Sequence, residues 1–208
     1  MKTFVIKDFL SSDEVDYALN FRENIEELHD NDGVYGNDVV TTGQQWLPNN
    51  NEFTKKLLTR MKMNQFLHNS KYDSVQVMHA YQAYDVHSDW HTQKNQVIIN
   101  DPVKDPPSYT VLMPLTPGDY STVVFEQQGK YNNFSEYKSA NSPLHKHISD
   151  EDWQRYCSHC HAEDQQYLTL LQVFDWQVGD LFAFERTLFH CSANFNTEKK
   201  AIVGWLSY

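Results

Sequence analysis

His87 and Asp89 stand two positions apart in the stretch YDVHSDW at 84–90, and His190 closes the apolar stretch LFAFERTLFH much later in the chain. Successive strand side chains point to opposite faces, so positions i and i+2 share one. On a strand, the imidazole of His87 and the carboxylate of Asp89 project together. With His190 they supply two neutral nitrogens and one anionic oxygen, a donor set that holds a divalent metal and leaves part of its coordination sphere open. His-x-Asp alone is a weak signal in a chain with ten histidines. A surface pair gives the same string, and a core histidine gives the same ending to an apolar strand. His190 tips the balance, because a third ligand arrives from a second rigid element.

Other residues carry chemistry of their own. Arg186 precedes His190 by four, which on a regular strand puts it on the same side, at a pocket mouth where it can meet substrate. The rival reading pairs it with Glu185 or Asp180 on the surface. Lys199 and Lys200 stand just before the apolar run AIVGW. Cys157, Cys160 and Cys191 are too few and too unevenly spaced for a disulfide framework. The string CSHCH matches a c-type haem attachment motif, but that chemistry needs an export context. A zinc site from Cys157 and Cys160 with His145, His147, His159 or His161 lacks a second ligand pair at finger spacing. The bland expectation is an exposed loop with incidental thiols, and Cys191 is expected to be a packed core thiol.

The elements that must position these groups are readable in outline. A short apolar strand, TFVIKDFL, leads into a helix opened by Ser11 and Glu14 as a capping box, with Val15, Ala18, Leu19, Ile25 and Leu28 at roughly helical spacing. A second helix carries Phe53, Leu57, Leu58 and Met61 on one face. Between them the polar stretch NDGVYGNDVVTTGQQWLPNNN reads as loop with one short strand. From about Ser74 onward, about eight short segments rich in β-branched and aromatic residues alternate with Pro-Gly-Asp and Gly-Asp turns. Helices followed by such strands predict a mainly β fold, a barrel or jelly roll with helices packed outside it. The polar but aromatic-dotted stretch at about 127–167 interrupts the strands and is expected to carry a small helix capped by Ser149.

At 208 residues, with 14% aromatic and 22% charged residues, the chain is globular in composition and sized for one domain. Its net charge of −11 repels phosphate backbones, and its only adjacent basic pairs are Lys55-Lys56 and Lys199-Lys200. Nucleic acid is therefore not an expected partner. The apolar runs fall far short of the roughly 18 residues that span a bilayer, and MKTFVIKDFLSSDEV turns acidic too early for a secretory signal. The expectation is a soluble cytoplasmic protein with no membrane partner.

Taken in order, several segments resemble the 2-oxoglutarate- and Fe(II)-dependent oxygenase superfamily, and most closely its prolyl-4-hydroxylase-like branch. AYDVHSDW resembles the strand carrying His-x-Asp, and YTVLMPLTPGDYSTVVFEQ the hairpin after it. WQVGDLFAFERTLFH resembles the Gly-Asp strand that delivers the distal histidine, and DFLSSDEVDYAL the usual opening. The resemblance implies a double-stranded β-helix (jelly-roll, cupin-like) core packed by N-terminal α-helices. It implies a single domain over 1–208, with 1–73 as helical support and 74–208 as the core interrupted at about 127–167. It further implies that His87, Asp89 and His190 hold Fe(II), that 2-oxoglutarate is co-substrate, and that ascorbate is a candidate reductant.

In that family a basic residue about ten positions after the distal histidine binds the far carboxylate of 2-oxoglutarate. Counting favours Lys200, with Lys199 the rival. Many members have Arg-x-Ser there, whereas Lys200 is followed two later by Ile202, so Tyr81 or Tyr84 is expected to supply the missing hydrogen bond. The implied reaction uses O2 to hydroxylate a C–H bond of a peptidyl (prolyl included) or small-molecule substrate, with release of succinate and CO2. The interruption at 127–167 is expected to close over substrate. A non-oxidative cupin-like metal-binding protein is the alternative from another class, and a nucleic-acid demethylase of the same superfamily the third.

Overall fold

β1 (Thr3–Ile6) runs through a tight corner into α1 (Ser12–Asn20). The expected capping box forms: Ser11 Oγ accepts the Glu14 N–H at 3.3 Å, and the Glu14 carboxylate accepts the Ser11 N–H at 2.9 Å. These bonds satisfy two of the amide donors that every helix start leaves open. The computed structural model describes residues 1–21, 33–35, 38–40, 42–80, 83–89, 108–129, 134–193 and 198–207, with backbone alone at 33–35, 38–40 and 42–46. Ile25 and Leu28 of the first helical pattern lie outside these residues.

The segment between the helices differs from its sequence reading. Three strands form there: β2 (Gly33–Tyr35), β3 (Asp38–Val40) and β4 (Thr42–Trp46). β2 and β3 pair as a hairpin, and β4 pairs with the edge of a larger sheet. An open sheet edge offers a full row of backbone hydrogen bonds, and that outweighs the weak strand propensity of a polar sequence. α2 (Glu52–Met61) then opens at Asn51, whose side chain accepts the Phe53 N–H at 2.8 Å.

The remaining elements are β5 (Lys71–Ala80), β6 (Tyr109–Pro114), β7 (Ser121–Gln128), α3 (Phe134–Ala140), α4 (Asp150–Tyr156), a 3-10 helix at Ala162–Tyr167, β8 (Leu170–Asp175), β9 (Leu181–Glu185), β10 (Leu188–Ser192) and β11 (Lys199–Ser207). They assemble into a six-stranded antiparallel sheet in the order β1-β9-β6-β11-β5-β4 and a three-stranded one in the order β10-β7-β8. From β6 onward the chain passes from one sheet to the other and back, which is the winding of a jelly roll. At the turn before β9, Gly179 has a positive φ of 86°. A Cβ there would come within 3.0 Å of the Leu10 carbonyl oxygen, so only glycine fits.

Burial explains why the central strands read as continuous apolar runs rather than clean alternations. On β11, Ile202 faces α1 and α2 with Leu57 and Met61, whereas Ala201 and Val203 face the space between the sheets with Phe182 and Phe184. On β6, Val111 and Met113 face the helices and Leu112 faces the interior. Both faces of the large sheet are covered, so both phases of its strands are apolar.

The stretch at 127–167 is not placed as a lid. Ile148, Trp153, Cys157 and Leu168 pack on Val123, Phe125 and Phe189 of the small sheet. Val124 of β7 belongs to the opposite, interior face, and so does Leu188 of β10. The insertion therefore backs the outer face of the three-stranded sheet, and its cysteines are buried. The aromatic residues scattered through this polar stretch give it an apolar face to bury, and the small sheet has an apolar outer face that needs covering. Among the described residues, no helix is long and apolar enough to cross a membrane.

Candidate metal centre

The two sequence-distant parts of the candidate site are bound to each other through backbone. His87 donates its N–H to the His190 carbonyl at 3.0 Å, and His190 donates back to the His87 carbonyl at 2.8 Å. This reciprocal pair makes His87 a one-residue partner of β10 and sets both side chains on one face. Their ring centroids lie 4.3 Å apart. Two residues on, the Asp89 N–H donates to the Arg186 carbonyl at 3.0 Å, which fixes the second half of His-x-Asp to the turn between β9 and β10. The ligand atoms of His87, Asp89 and His190 all fall within 4.8 Å of one another.

Both rings are held in the tautomer a metal needs. His87 Nδ1 lies 2.7 Å from the Asp85 carbonyl oxygen, and His190 Nδ1 lies 3.1 Å from that of Leu188. A carbonyl can only accept, so each Nδ1 carries the proton and each Nε2 keeps its lone pair. His190 Nε2 stands 3.5 Å from Asp89 Oδ2, close to the ~3 Å edge between two ligands bound at about 2.1 Å. Asp89 Oδ2 also accepts the Thr110 hydroxyl at 2.6 Å, which orients the carboxylate as outer partners of metal ligands do.

Electrostatics match that geometry. Burial, aided by the neighbouring His87, pushes the His190 imidazole down to about 4 against the pull of Asp89. Burial pushes the Asp89 carboxyl up, yet His190, His87, the Thr110 hydrogen bond and Arg186 together hold it below its ordinary value. A neutral His190 imidazole and a charged Asp89 carboxylate thus converge with the His87 ring, and this donor set fits a divalent iron with open positions.

The remaining residues singled out from the sequence are placed differently. Lys200 lies on the face of β11 that carries Ile202, with Nζ 3.5 Å from Glu198 Oε1 at the surface. It does not face the interior between the two sheets, where it was expected. Lys199 does: it is buried, donates from Nζ to Ser192 Oγ at 2.9 Å, and sits 4.7 Å from the ring centre of Trp176. Strand alternation makes this choice, since neighbouring residues cannot share a face. Burial lowers the Lys199 ammonium to about 7, with Cys191 opposing the shift.

Arg186 is not at a pocket mouth. β9 belongs to the large sheet and β10 to the small one, so the strand breaks at Arg186 and the four-residue spacing to His190 loses its meaning. Its buried guanidinium pairs with Asp73 Oδ2 at 2.6 Å and donates from Nε to the Asp89 carbonyl at 3.3 Å. It braces the ligand-bearing loop from behind. Tyr84 packs 5.8 Å from the His87 ring and directs its hydroxyl to Met78 Sδ at 3.8 Å. Tyr81 lies outside the described residues.

Three contributors went unnoticed in the sequence: Thr110, Ser192 and Trp176. Thr110 and Ser192 each carried a faint signal, a polar side chain in the interior phase of an apolar strand, two from Leu112 and two from His190. Trp176, in an irregular link after β8, carried none.

No family model matches the sequence, and no curated protein does. Solved structures do match in fold. The epimerase SnoN of nogalamycin biosynthesis, in complex with Fe3+, alpha ketoglutarate and nogalamycin RO, superposes with a TM-score of 0.58 at 12% identity, covering 99% of this chain and 78% of that one. The viral collagen prolyl hydroxylase of Paramecium bursaria Chlorella virus-1, in its 2-oxoglutarate complex, gives 0.51 at 16% identity over 100% of this chain and 96% of its own. HygX of Streptomyces hygroscopicus, with nickel and 2-oxoglutarate bound, gives 0.51 at 16% identity over 99% and 82%. At these identities the likeness is one of fold: the chain has the jelly-roll core of 2-oxoglutarate-dependent oxygenase structures.

Proposed function

We propose that the chain is an Fe(II)- and 2-oxoglutarate-dependent oxygenase, a hydroxylase of a C–H bond in a peptidyl or small-molecule substrate, releasing succinate and CO2. The observation that carries this reading is Lys199. A metal-binding protein of the same fold has no use for an ammonium buried beside its donor set, whereas a chelated dicarboxylate needs one at its far end. Ser192 is two residues from His190 on β10, so the cation it binds stands about 7 Å along the strand from the distal imidazole. That spacing suits a five-carbon dicarboxylate with one end at the metal. That SnoN, the viral hydroxylase and HygX each carry 2-oxoglutarate in the same fold supports the co-substrate.

In this reading His87, Asp89 and His190 hold the iron, which when bound supplies the oxidising chemistry with O2 and 2-oxoglutarate. The chain's own part is binding and orientation. Lys199 and Ser192 take the far carboxylate, with Lys199 replacing Lys200 as anchor. Thr110 turns the Asp89 carboxylate, and the two backbone-bonded imidazoles keep their lone pairs directed inward. Leu112, Phe184 and Leu188 wall the site with apolar surface that excludes water. The neighbours include a prolyl hydroxylase and an epimerase, so the substrate is set by this chain's own residues around the metal centre and not by the fold.

Anaerobic titration of the apo-protein with Fe(II) and then 2-oxoglutarate tests this. The expected result is a visible metal-to-ligand charge-transfer band that is lost in Asp89→Ala and His190→Ala. Lys199→Met should require far more 2-oxoglutarate to produce it. Absence of the band, with no succinate formed in air, overturns the assignment in favour of a non-oxidative metal-binding barrel.

A further inference from the structure

We infer that Cys157, His159, Cys160 and Cys191 form a second metal site, a closed structural zinc centre that fastens the insertion to the strand carrying His190. All three thiols are buried within the core on the outer face of the small sheet. Cys157 Sγ and Cys191 Sγ lie 3.8 Å apart, and Cys160 Sγ lies 3.3 Å from His159 Nε2. The ligand atoms of His159, Cys160 and Cys191 fall within 4.8 Å of one another. Zinc–sulfur bonds of about 2.3 Å set two tetrahedral sulfurs about 3.8 Å apart, and a sulfur and an imidazole nitrogen slightly closer. Those three ligand atoms converge within one coordination sphere, and Cys157 adjoins it through its contact with Cys191.

The local backbone has the form such a site uses. Cys160 donates its N–H to the Cys157 carbonyl at 2.9 Å, closing Cys-x-x-Cys into a tight turn directly after α4. The third thiol comes from β10, and a fourth ligand from within the turn replaces the second ligand pair that the sequence lacks. His159 is not fully satisfied by the protein: its Nδ1 is buried without a hydrogen-bond partner, and its Nε2 lies 3.0 Å from the Tyr84 carbonyl oxygen and 3.3 Å from Cys160 Sγ. Zinc binding displaces the thiol protons to solvent and takes Nε2 in place of its contact with the Tyr84 carbonyl, so that the ring proton moves to Nδ1. With every ligand position filled by protein, the site is structural and not catalytic.

The placement links it to the metal centre. Cys191 follows His190, and Tyr84 precedes Asp85, whose carbonyl orients His87. Zinc would thus hold the His190-bearing strand against the insertion, beside the segment that carries His87.

The test uses His87→Ala/Asp89→Ala protein, so that zinc in the other site cannot be counted and the result is independent of the oxygenase reading. Expected are about one tightly held zinc per chain by elemental analysis, and strong thiolate-to-cobalt absorption with tetrahedral d–d bands after cobalt exchange. Cys160→Ser in that background should lose the metal. Should that variant not fold, stepwise modification of the intact protein's thiols with an organomercurial should release zinc to a chromogenic chelator in parallel. Protein grown with zinc that holds none, or a Cys157–Cys191 disulfide in the unreduced peptide map, overturns the inference.

Discussion

The Lys199 ammonium donates to the Ser192 hydroxyl at 2.9 Å, and Ser192 lies two residues past His190 on the same face of β10. A single hydrogen bond thereby ties the C-terminal strand of the large sheet to the histidine-bearing strand of the small one, across the interior that the two sheets enclose.

Lys199 should trade stability for binding. Its folded value, about 7, lies below the ordinary 10.5. The unfolded chain therefore holds more protons between those values, and stability rises with pH across that window. At pH 7 and without co-substrate, Lys199→Met is expected to be more stable than the parent by about 1–3 kcal/mol. Its melting temperature should no longer respond to 2-oxoglutarate, which at a hundredfold excess over Kd stabilises the parent by about 2.7 kcal/mol. Lys200→Met should behave as the parent does, within about 0.5 kcal/mol. Equal losses of 2-oxoglutarate binding in both variants would return the anchor to Lys200.

Thr110 acts through Asp89 and not on the metal. Thr110→Val keeps the shape and removes the 2.6 Å hydrogen bond. The expected outcome is metal affinity weaker by about 10–100-fold, with Thr110→Ser restoring most of it. Competition with a fluorescent chelator measures both. Unchanged affinity in the valine variant would leave Thr110 as ordinary core packing.

Trp153 distinguishes a backing layer from a lid. It is buried with Ile148 and Leu168 against the small sheet. Trp153→Ala is expected to cost about 3–5 kcal/mol in chemical denaturation, the range for large aromatic truncations in cores. A lid residue would instead alter turnover while leaving the unfolding midpoint in place.

Glu14 sets part of the acid limit of the fold. Its carboxyl accepts hydrogen bonds from Arg60, which together with the Ser11 amide and Lys56 outweigh burial and hold it at about 2 against an ordinary 4.5. Because the folded value is the lower one, this stabilisation is complete above about pH 4.5 and disappears as pH falls towards 2. Glu14→Gln should lose about 1–3 kcal/mol at pH 7 and converge with the parent near pH 2. Parallel curves across the whole range would place the effect elsewhere.

Much of this was legible in the chain itself. Capping at Ser11 and Ser149, helices before strands, and His-x-Asp with a distal histidine are local or periodic signals, set by a few neighbouring residues. Lys199 against Lys200 was a choice of strand phase, and phase depends on which face of β11 the partner sheet covers. Arg186 was misread because the spacing rule presumes an unbroken strand, whereas the chain changes sheets there. β4 formed because the edge of the large sheet was available, whereas β2 and β3 pair with each other, where the polar sequence announced a loop with one short strand.

By itself, the sequence determined the candidate donor residues, the succession of helices and strands and the apolar phases, because residue type and spacing act over a few positions of backbone. Only the tertiary structure decided which lysine enters the interior, that Arg186 braces Asp89 from behind, and that the insertion shields the small sheet and brings its thiols to Cys191. Those outcomes depend on which surfaces meet, and burial between distant segments fixes them.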